Sequence, residues 1–184
     1  MKNLVFTNWE TADLSENQFA SFMFGLDFGF TNDPSALVKC SVKDGKVYIL
    51  DEVYQKGLTN DKIASAIKGI VGEYIVSCDS SEPKSIAELK QHGISAVPVR
   101  KGKDSVQHGI QWLRQNRIII DKKCQNFINE IQTYKYREDR DGNVMNDPID
   151  MANHLLDALR YACEPLMSRH ILSVPKFSAG DLGL

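Results

Sequence analysis

The chain has 184 residues, 42% of them hydrophobic and 25% charged, which suits one globular domain with a core of its own. Its net charge of −2 excludes a bulk polycation, so any nucleic-acid surface has to be local or supplied by bound cations. No apolar run approaches the ~20 residues of a membrane-spanning helix, and the N-terminus does not read as a signal peptide.

Residues 1 to about 20 are mostly polar and mixed, with Trp9 as their apolar anchor, and read as a lead-in rather than a fold of their own. The run Phe22-Met23-Phe24-Gly25-Leu26-Asp27-Phe28-Gly29-Phe30 then predicts a buried strand from about Phe22 to Gly29. After the turn Thr31-Asn32-Asp33-Pro34, a second strand is expected over Ser35 to Val42. The tight-turn residues Lys43-Asp44-Gly45-Lys46 lead into a third over Val47 to Tyr54, which completes an antiparallel meander. Helical spacing follows in Ile63, Ala64, Ile67, Ile70 and Val71, behind the capping candidates Thr59-Asn60-Asp61. Tyr74 to Cys78 reads as a short strand, and Pro83 opens a helix that His92-Gly93 stops. Ile94 to Val99 is a strand, Ser105 to Gln115 a helix, Arg117 to Ile120 a strand and Cys124 to Tyr134 a helix. Tyr134 to Asp147, centred on Asp141-Gly142-Asn143, reads as an exposed hairpin or loop. Asn153 to Met167 is the last strong helix, and a loosely held tail follows from about Ser168. A meander followed by alternating helices and strands predicts a mixed α/β sheet with helices on both faces.

Cys40, Cys78, Cys124 and Cys163 are scattered without a CxxC pair, a spacing that fits neither a zinc site nor a disulfide framework. Their apolar contexts predict four reduced core thiols in a cytoplasmic protein.

Three aspartates sit at the edges of apolar elements. Asp27 ends the first strand, where a carboxylate is costly unless a metal ion or charged partner offsets its desolvation. Asp79 follows the strand that ends at Cys78, at the carboxyl-end rim where such sheets open their sites. Asp157 lies between Leu156 and Ala158 in the final helix, with His154 on the same face. Asp27, Asp79 and His154 each have an ordinary structural role open to them: a turn or cap residue for the two aspartates, and a surface or core histidine for His154. Three carboxylates at one rim would repel one another, and divalent cations with oxygen ligands remove that repulsion. Two such ions ~3.5–4 Å apart clamp a phosphodiester between attacking water and leaving oxygen.

Gly25 to Ala36, Cys78-Asp79-Ser80-Ser81-Glu82-Pro83-Lys84-Ser85-Ile86 and Asn153-His154-Leu155-Leu156-Asp157-Ala158-Leu159-Arg160-Tyr161 resemble the nuclease domain of tailed-bacteriophage large terminase subunits. The resemblance runs from about Trp9 to Met167. It implies a ribonuclease H-like fold over about 21–168, with 169–184 as a tail. It also implies that Asp27, Asp79 and Asp157 are metal-binding catalytic acids and that His154 is an auxiliary ligand or proton carrier. Asp33, Glu82 and Asp150 are lesser candidates. The implied cofactor is a pair of Mg²⁺ or Mn²⁺ ions. The implied reaction is cleavage of double-stranded concatemeric viral DNA during packaging, in the cytoplasm of an infected bacterium. In the full proteins of this family an ATPase motor precedes the nuclease, and a small terminase subunit and a portal are partners. No GxxxxGK[ST] phosphate loop occurs here, so either this is an isolated nuclease domain with residues 1–20 the end of an interdomain linker, the favoured expectation, or the chain is a stand-alone nuclease.

Arg100, Lys101 and Lys103 follow a strand and are expected near the rim of Asp79, either as phosphate contacts or as a solvated basic loop. Lys122-Lys123 reads as ordinary surface. The resemblance places the hairpin before the final helix beside the active site, where it would guide or block DNA. Other readings of the same acids are a resolvase- or transposase-type nuclease and a non-catalytic DNA-binding or assembly module. An actin-like or sugar-kinase ATPase fits the Asp-x-Gly pattern, but 184 residues leave no room for its second lobe.

Overall fold

A computed structural model describes residues 3–29 and 32–172. Phe30 and Thr31 of the expected turn, and the tail beyond 172, lie outside the described residues.

The centre of the molecule is a meander. β2 (Met23–Asp27) pairs antiparallel with β3 (Pro34–Lys43), and β3 with β4 (Lys46–Lys56). Asp44 and Gly45 both adopt positive φ, 52° and 70°, which is the geometry of the two-residue hairpin turn that matches strand twist. α1 (Asn60–Val71) then crosses to β5 (Val76–Cys78), and α2 (Pro83–Gln91) to β6 (Ala96–Pro98). β5 lies parallel to β2, and β6 parallel to β5. α3 (Ser105–Gln115) returns the chain to the opposite side, where β7 (Arg117–Asp121) lies parallel to β4. α4 (Gln125–Thr133), a hairpin of β8 (Tyr136–Glu138) and β9 (Val144–Pro148), and α5 (His154–Leu172) complete it.

The edge beside β7 is β1 (Trp9–Ala12), giving the sheet order β1-β7-β4-β3-β2-β5-β6. Here the structure departs from the expected lead-in. Val5 and Phe6 are fully buried, and Phe6 stacks on Tyr134. The N-terminal segment is therefore part of the sheet and of the core. The apolar run Leu4-Val5-Phe6 is the signal for this in the sequence, and the lead-in reading passes over it because the residues around it are polar.

Two cores lie on the two faces, as alternation along the strands requires. Phe24, Leu26 and Leu37 face α1 and α2, together with Val76 and Cys78. Ala36, Val38 and Cys40 face the other way, toward Leu113 of α3, Phe127 of α4 and Leu155 and Leu159 of α5. α5 lies directly over β2. A Cβ on Gly25 would stand 1.8 Å from the Ala158 carbonyl oxygen, so only glycine admits the helix backbone there. The four cysteines are buried free thiols. α5 also continues past the expected end near Met167 to Leu172, with Pro165 inside it.

Candidate active site

The last residue of β2 is Asp27, and its position on the α5 side follows from the strand's alternation: Phe24 and Leu26 point into one core, Gly25 and Asp27 toward the helix. β5 runs parallel alongside, so Asp79 emerges just past its carboxyl end at the same edge, with its amide donating to the Leu26 carbonyl. α5 begins at that edge and supplies His154 and Asp157. Three elements distant in sequence thus deliver the three acids to one end of the sheet.

Asp27 is 9% exposed. Burial raises its pKa, the hydrogen bond from His154 opposes that rise, and the charges of Asp157 and Asp79 add to it. The three carboxylates therefore share one electrostatic field. His154 Nδ1 lies 3.0 Å from Asp27 Oδ2, and its Nε2 lies 3.7 Å from Asp33 Oδ1. The Asp27 contact raises the His154 pKa above its ordinary value, against the effect of burial.

Each of the other two acids has a cation of its own. Lys101 Nζ donates to Asp79 Oδ1, the Ser81 amide donates to the same oxygen, and the Tyr161 hydroxyl reaches Oδ2 at 3.3 Å. Burial would raise the Asp79 pKa, but these bonds outweigh it and hold the carboxyl below its usual range. Arg160 donates to Asp157 Oδ1 at 2.7 Å, and Asn153 Nδ2 reaches Oδ2 at 3.4 Å. Tyr161 stands between the two cations, its ring centre 5.3 Å from Lys101 Nζ and 5.5 Å from the Arg160 guanidinium.

Among the described residues, no group of three or more His, Cys, Asp or Glu side chains stands close enough to hold a metal ion as the side chains now lie. The donor set is nonetheless all carboxylate oxygen, the set that hard divalent cations take. Asp79 and Asp157 are at present each paired with a cation, Lys101 and Arg160.

Of the three basic residues expected at the rim, Lys101 reaches an acid directly. Arg100, Lys101 and Lys103 line a cavity of about 230 Å³ between the loop after β6, α3 and α5, together with His108, Arg160 and Tyr161. Gly109 of α3 leaves room for Arg160, since a Cβ there would sit 2.9 Å from its Cδ. A second cavity of about 310 Å³ opens between the hairpin, α3 and α5, lined by Arg137, Asp147, Asp150, Asn153, Asp157 and Arg160. The hairpin is held by Gln107, which donates to the Asn146 carbonyl at 2.7 Å. Glu82 instead lines a cleft with Phe28, Thr59 and Glu88 beside α1 and α2. Lys122 and Lys123 pair with Asp13 and Asp51 at the surface.

Sequence reasoning did not find Glu130. It sits on α4, 4% exposed, and its Oε2 accepts from the amides of Leu155 at 2.8 Å and Leu156 at 3.2 Å. Burial raises its pKa to about 7 although those amides and His154 pull it down. In the sequence it is one more polar residue on an amphipathic helix.

The family model described as the terminase RNase H-like domain matches residues 27–165. The chain belongs to this terminase RNase H-like family. Its relatives include the terminase large subunit of Bacillus phage SPP1, 33% identical over 91% of this chain. The PBSX phage terminase large subunit of Bacillus subtilis is 33% identical over 78% of it. The chain spans only 42% and 34% of those two relatives. Among solved structures, the SPP1 large terminase nuclease domain with bound Mn superposes with a TM-score of 0.81 at 32% identity. That match covers 87% of this chain and 97% of the other. The large terminase nuclease of thermophilic phage G20c with bound magnesium shares the fold at a TM-score of 0.65 and 15% identity. The mixed sheet described above is thus the ribonuclease H-like fold expected from the sequence.

Proposed function

We propose that this terminase-family domain is a metal-dependent endonuclease that cuts double-stranded DNA, the concatemeric viral genome during packaging. The observation that carries the proposal is that β2, the end of β5 and the first turn of α5 bring Asp27, Asp79 and Asp157 to one end of the sheet. The Mn-bound SPP1 nuclease domain, similar over most of this chain, supports the choice of cofactor. Asp27, Asp79 and Asp157 would hold two Mg²⁺ or Mn²⁺ ions, which activate a water and stabilise the leaving oxygen of a phosphodiester.

The chain's own residues do the rest. Asp27, on β2 between β3 and β5 and facing α5, lies in the field of both other acids and would contribute its carboxylate to the metal set. His154 orients the Asp27 carboxylate through Nδ1 and offers Nε2 as a proton carrier, with Asp33 beside it. Lys101 and Arg160 neutralise Asp79 and Asp157 in the metal-free protein, which offsets like-charge repulsion at the rim. Lys101 lines the same cavity as Arg100 and Lys103 and, released from Asp79, would be free to meet backbone phosphate oxygens, while Arg160, 9% exposed, lines it from the buried side. None of these groups reads a base edge, so binding is sequence-independent and salt-sensitive. In the cell the domain would act beside an ATPase motor, a small terminase subunit and a portal, in the cytoplasm of the infected host.

Calorimetric titration with Mn²⁺ tests the ligand assignment. Wild type is expected to bind, and Asp27→Asn, Asp79→Asn and Asp157→Asn each to lose at least about tenfold in affinity. Wild-type affinity in all three variants would refute it.

A further inference from the structure

α5 carries two of the four residues assigned to the reaction, yet among the described residues no local side chain caps its first amides. Asn153, which immediately precedes it, accepts the Asp157 amide through its backbone carbonyl. Its side chain is turned toward the Asp157 carboxylate at 3.4 Å instead of capping the helix. The free amides of Leu155 and Leu156 go to the Glu130 carboxylate on α4. α4 is built the same way one step earlier. Cys124 at its N-cap makes no side-chain cap bond, and Glu52 of β4 accepts from the amides of Asn126 at 2.9 Å and Phe127 at 2.8 Å. Two consecutive helices thus take their N-terminal caps from glutamates of preceding elements, and the second cap ends at the site. A carboxylate at a helix N-terminus is favourable by both hydrogen bonding and the helix dipole.

Capping alone does not require Glu130. A serine, threonine or asparagine at the start of α5 would satisfy the same amides from the surface. Glu130 is buried, and among the described residues its Oε1 makes no hydrogen bond of ordinary geometry, a cost that a local cap avoids; the Tyr54 hydroxyl lies close enough to feel its charge. What the distant carboxylate adds is a cross-link. It ties the first turn of α5 to α4, which is itself tied to the central sheet through Glu52. The first turn is the part of α5 that carries His154 and Asp157.

We propose that Glu130 is the positioning residue of the site: it sets the axial and rotational register of α5 over β2, and so the placement of His154 and Asp157 against Asp27. The proposal rests on the nuclease reading above for its consequence in catalysis. It does not rest on it for the cross-link.

Glu130→Gln keeps a carbonyl oxygen for the two amides, and Glu130→Ala removes it. In Glu130→Ala, hydrogen exchange at the Leu155 and Leu156 amides is expected to speed at least about tenfold, while the β2 and β3 amides stay protected. Mn²⁺ affinity by calorimetry is expected to fall about tenfold, and kcat for plasmid nicking to fall with KM for DNA unchanged. Glu130→Gln is expected to restore all of these to within about threefold of wild type. If the alanine variant does not fold, Glu130→Asp, one methylene shorter, replaces it with the same expected losses. Faster exchange at Leu155 and Leu156 with undiminished Mn²⁺ affinity would overturn the proposal, because the cap would then be structural only. Equal impairment in the glutamine variant would overturn it too, because the charge and not the bonds would be at work. A wild type that binds no Mn²⁺ sinks the nuclease reading, and the exchange comparison still decides the cross-link.

Discussion

Single ionisable groups at this site carry consequences that stability measurements can read. Burial raises the Glu130 carboxyl from 4.5 to about 7. A group whose folded pKa lies above its unfolded value contributes stability fully below the unfolded pKa and loses it as pH rises through the folded one. Wild type should therefore lose stability between about pH 5 and about pH 8 from this group, on the order of 2–3 kcal/mol. Glu130→Gln cannot ionise, so urea denaturation should show it gaining on wild type across that range; a constant difference would contradict the burial account. His154 has the same sign for a different reason, since its pKa is raised chiefly by the Asp27 hydrogen bond. Its contribution is complete below the ordinary histidine value and disappears as pH rises through the raised one. The destabilisation caused by His154→Asn, measured without metal, should be larger near pH 6 than near pH 9. Neither effect was legible in the sequence. Glu130 meets α5 across 25 residues of chain, and the partners of Asp79 and Asp157 are likewise fixed only by folding.

The meander, the α/β succession and the last helix were legible as elements because periodicity, turn residues and prolines all pointed the same way. Spatial order was less so. Nothing in the Arg117–Asp121 strand says that it returns beside β4, or that Trp9–Ala12 joins beyond it, because parallel pairing leaves no local signal. Strand ends were missed in both directions: Tyr74 and Ile75 were included yet lie exposed ahead of β5, while β4 runs on past Tyr54 to Lys56. The three aspartates stood out in the sequence, since a charged residue at the edge of an apolar run is conspicuous, but that their elements meet at one end of the sheet did not. Gly25 was visible as punctuation, and the structure supplies its reason: the backbone of α5 lies against it. Gly25→Ala should destabilise by at least ~1–3 kcal/mol through overpacking. It should also weaken Mn²⁺ binding, because the helix that carries Asp157 must lift from the strand that carries Asp27. A thermal unfolding midpoint equal to wild type would show that α5 does not press on β2 as described.

At the scale of the molecule, the chain spans less than half the length of its large-subunit relatives, and its net charge is −2. DNA affinity on its own should accordingly be low and steeply salt-dependent, with the basic cavity between α3 and α5 supplying the phosphate contacts. Replacing Arg100, Lys101 and Lys103 together by alanine should flatten the slope of log affinity against log salt by up to about 3. An unchanged slope would move the DNA elsewhere on the surface. The central claim is that three carboxylates from β2, the end of β5 and α5 act as one metal-holding set, with Asp27 at its middle. Nicking of supercoiled plasmid in the presence of Mn²⁺, by wild type and by Asp27→Ala, tests that most directly. The account predicts cutting by wild type and a loss of at least about a thousandfold in the variant. Equal cutting by both proteins, or no cutting by wild type at any Mn²⁺ or Mg²⁺ concentration, would contradict it.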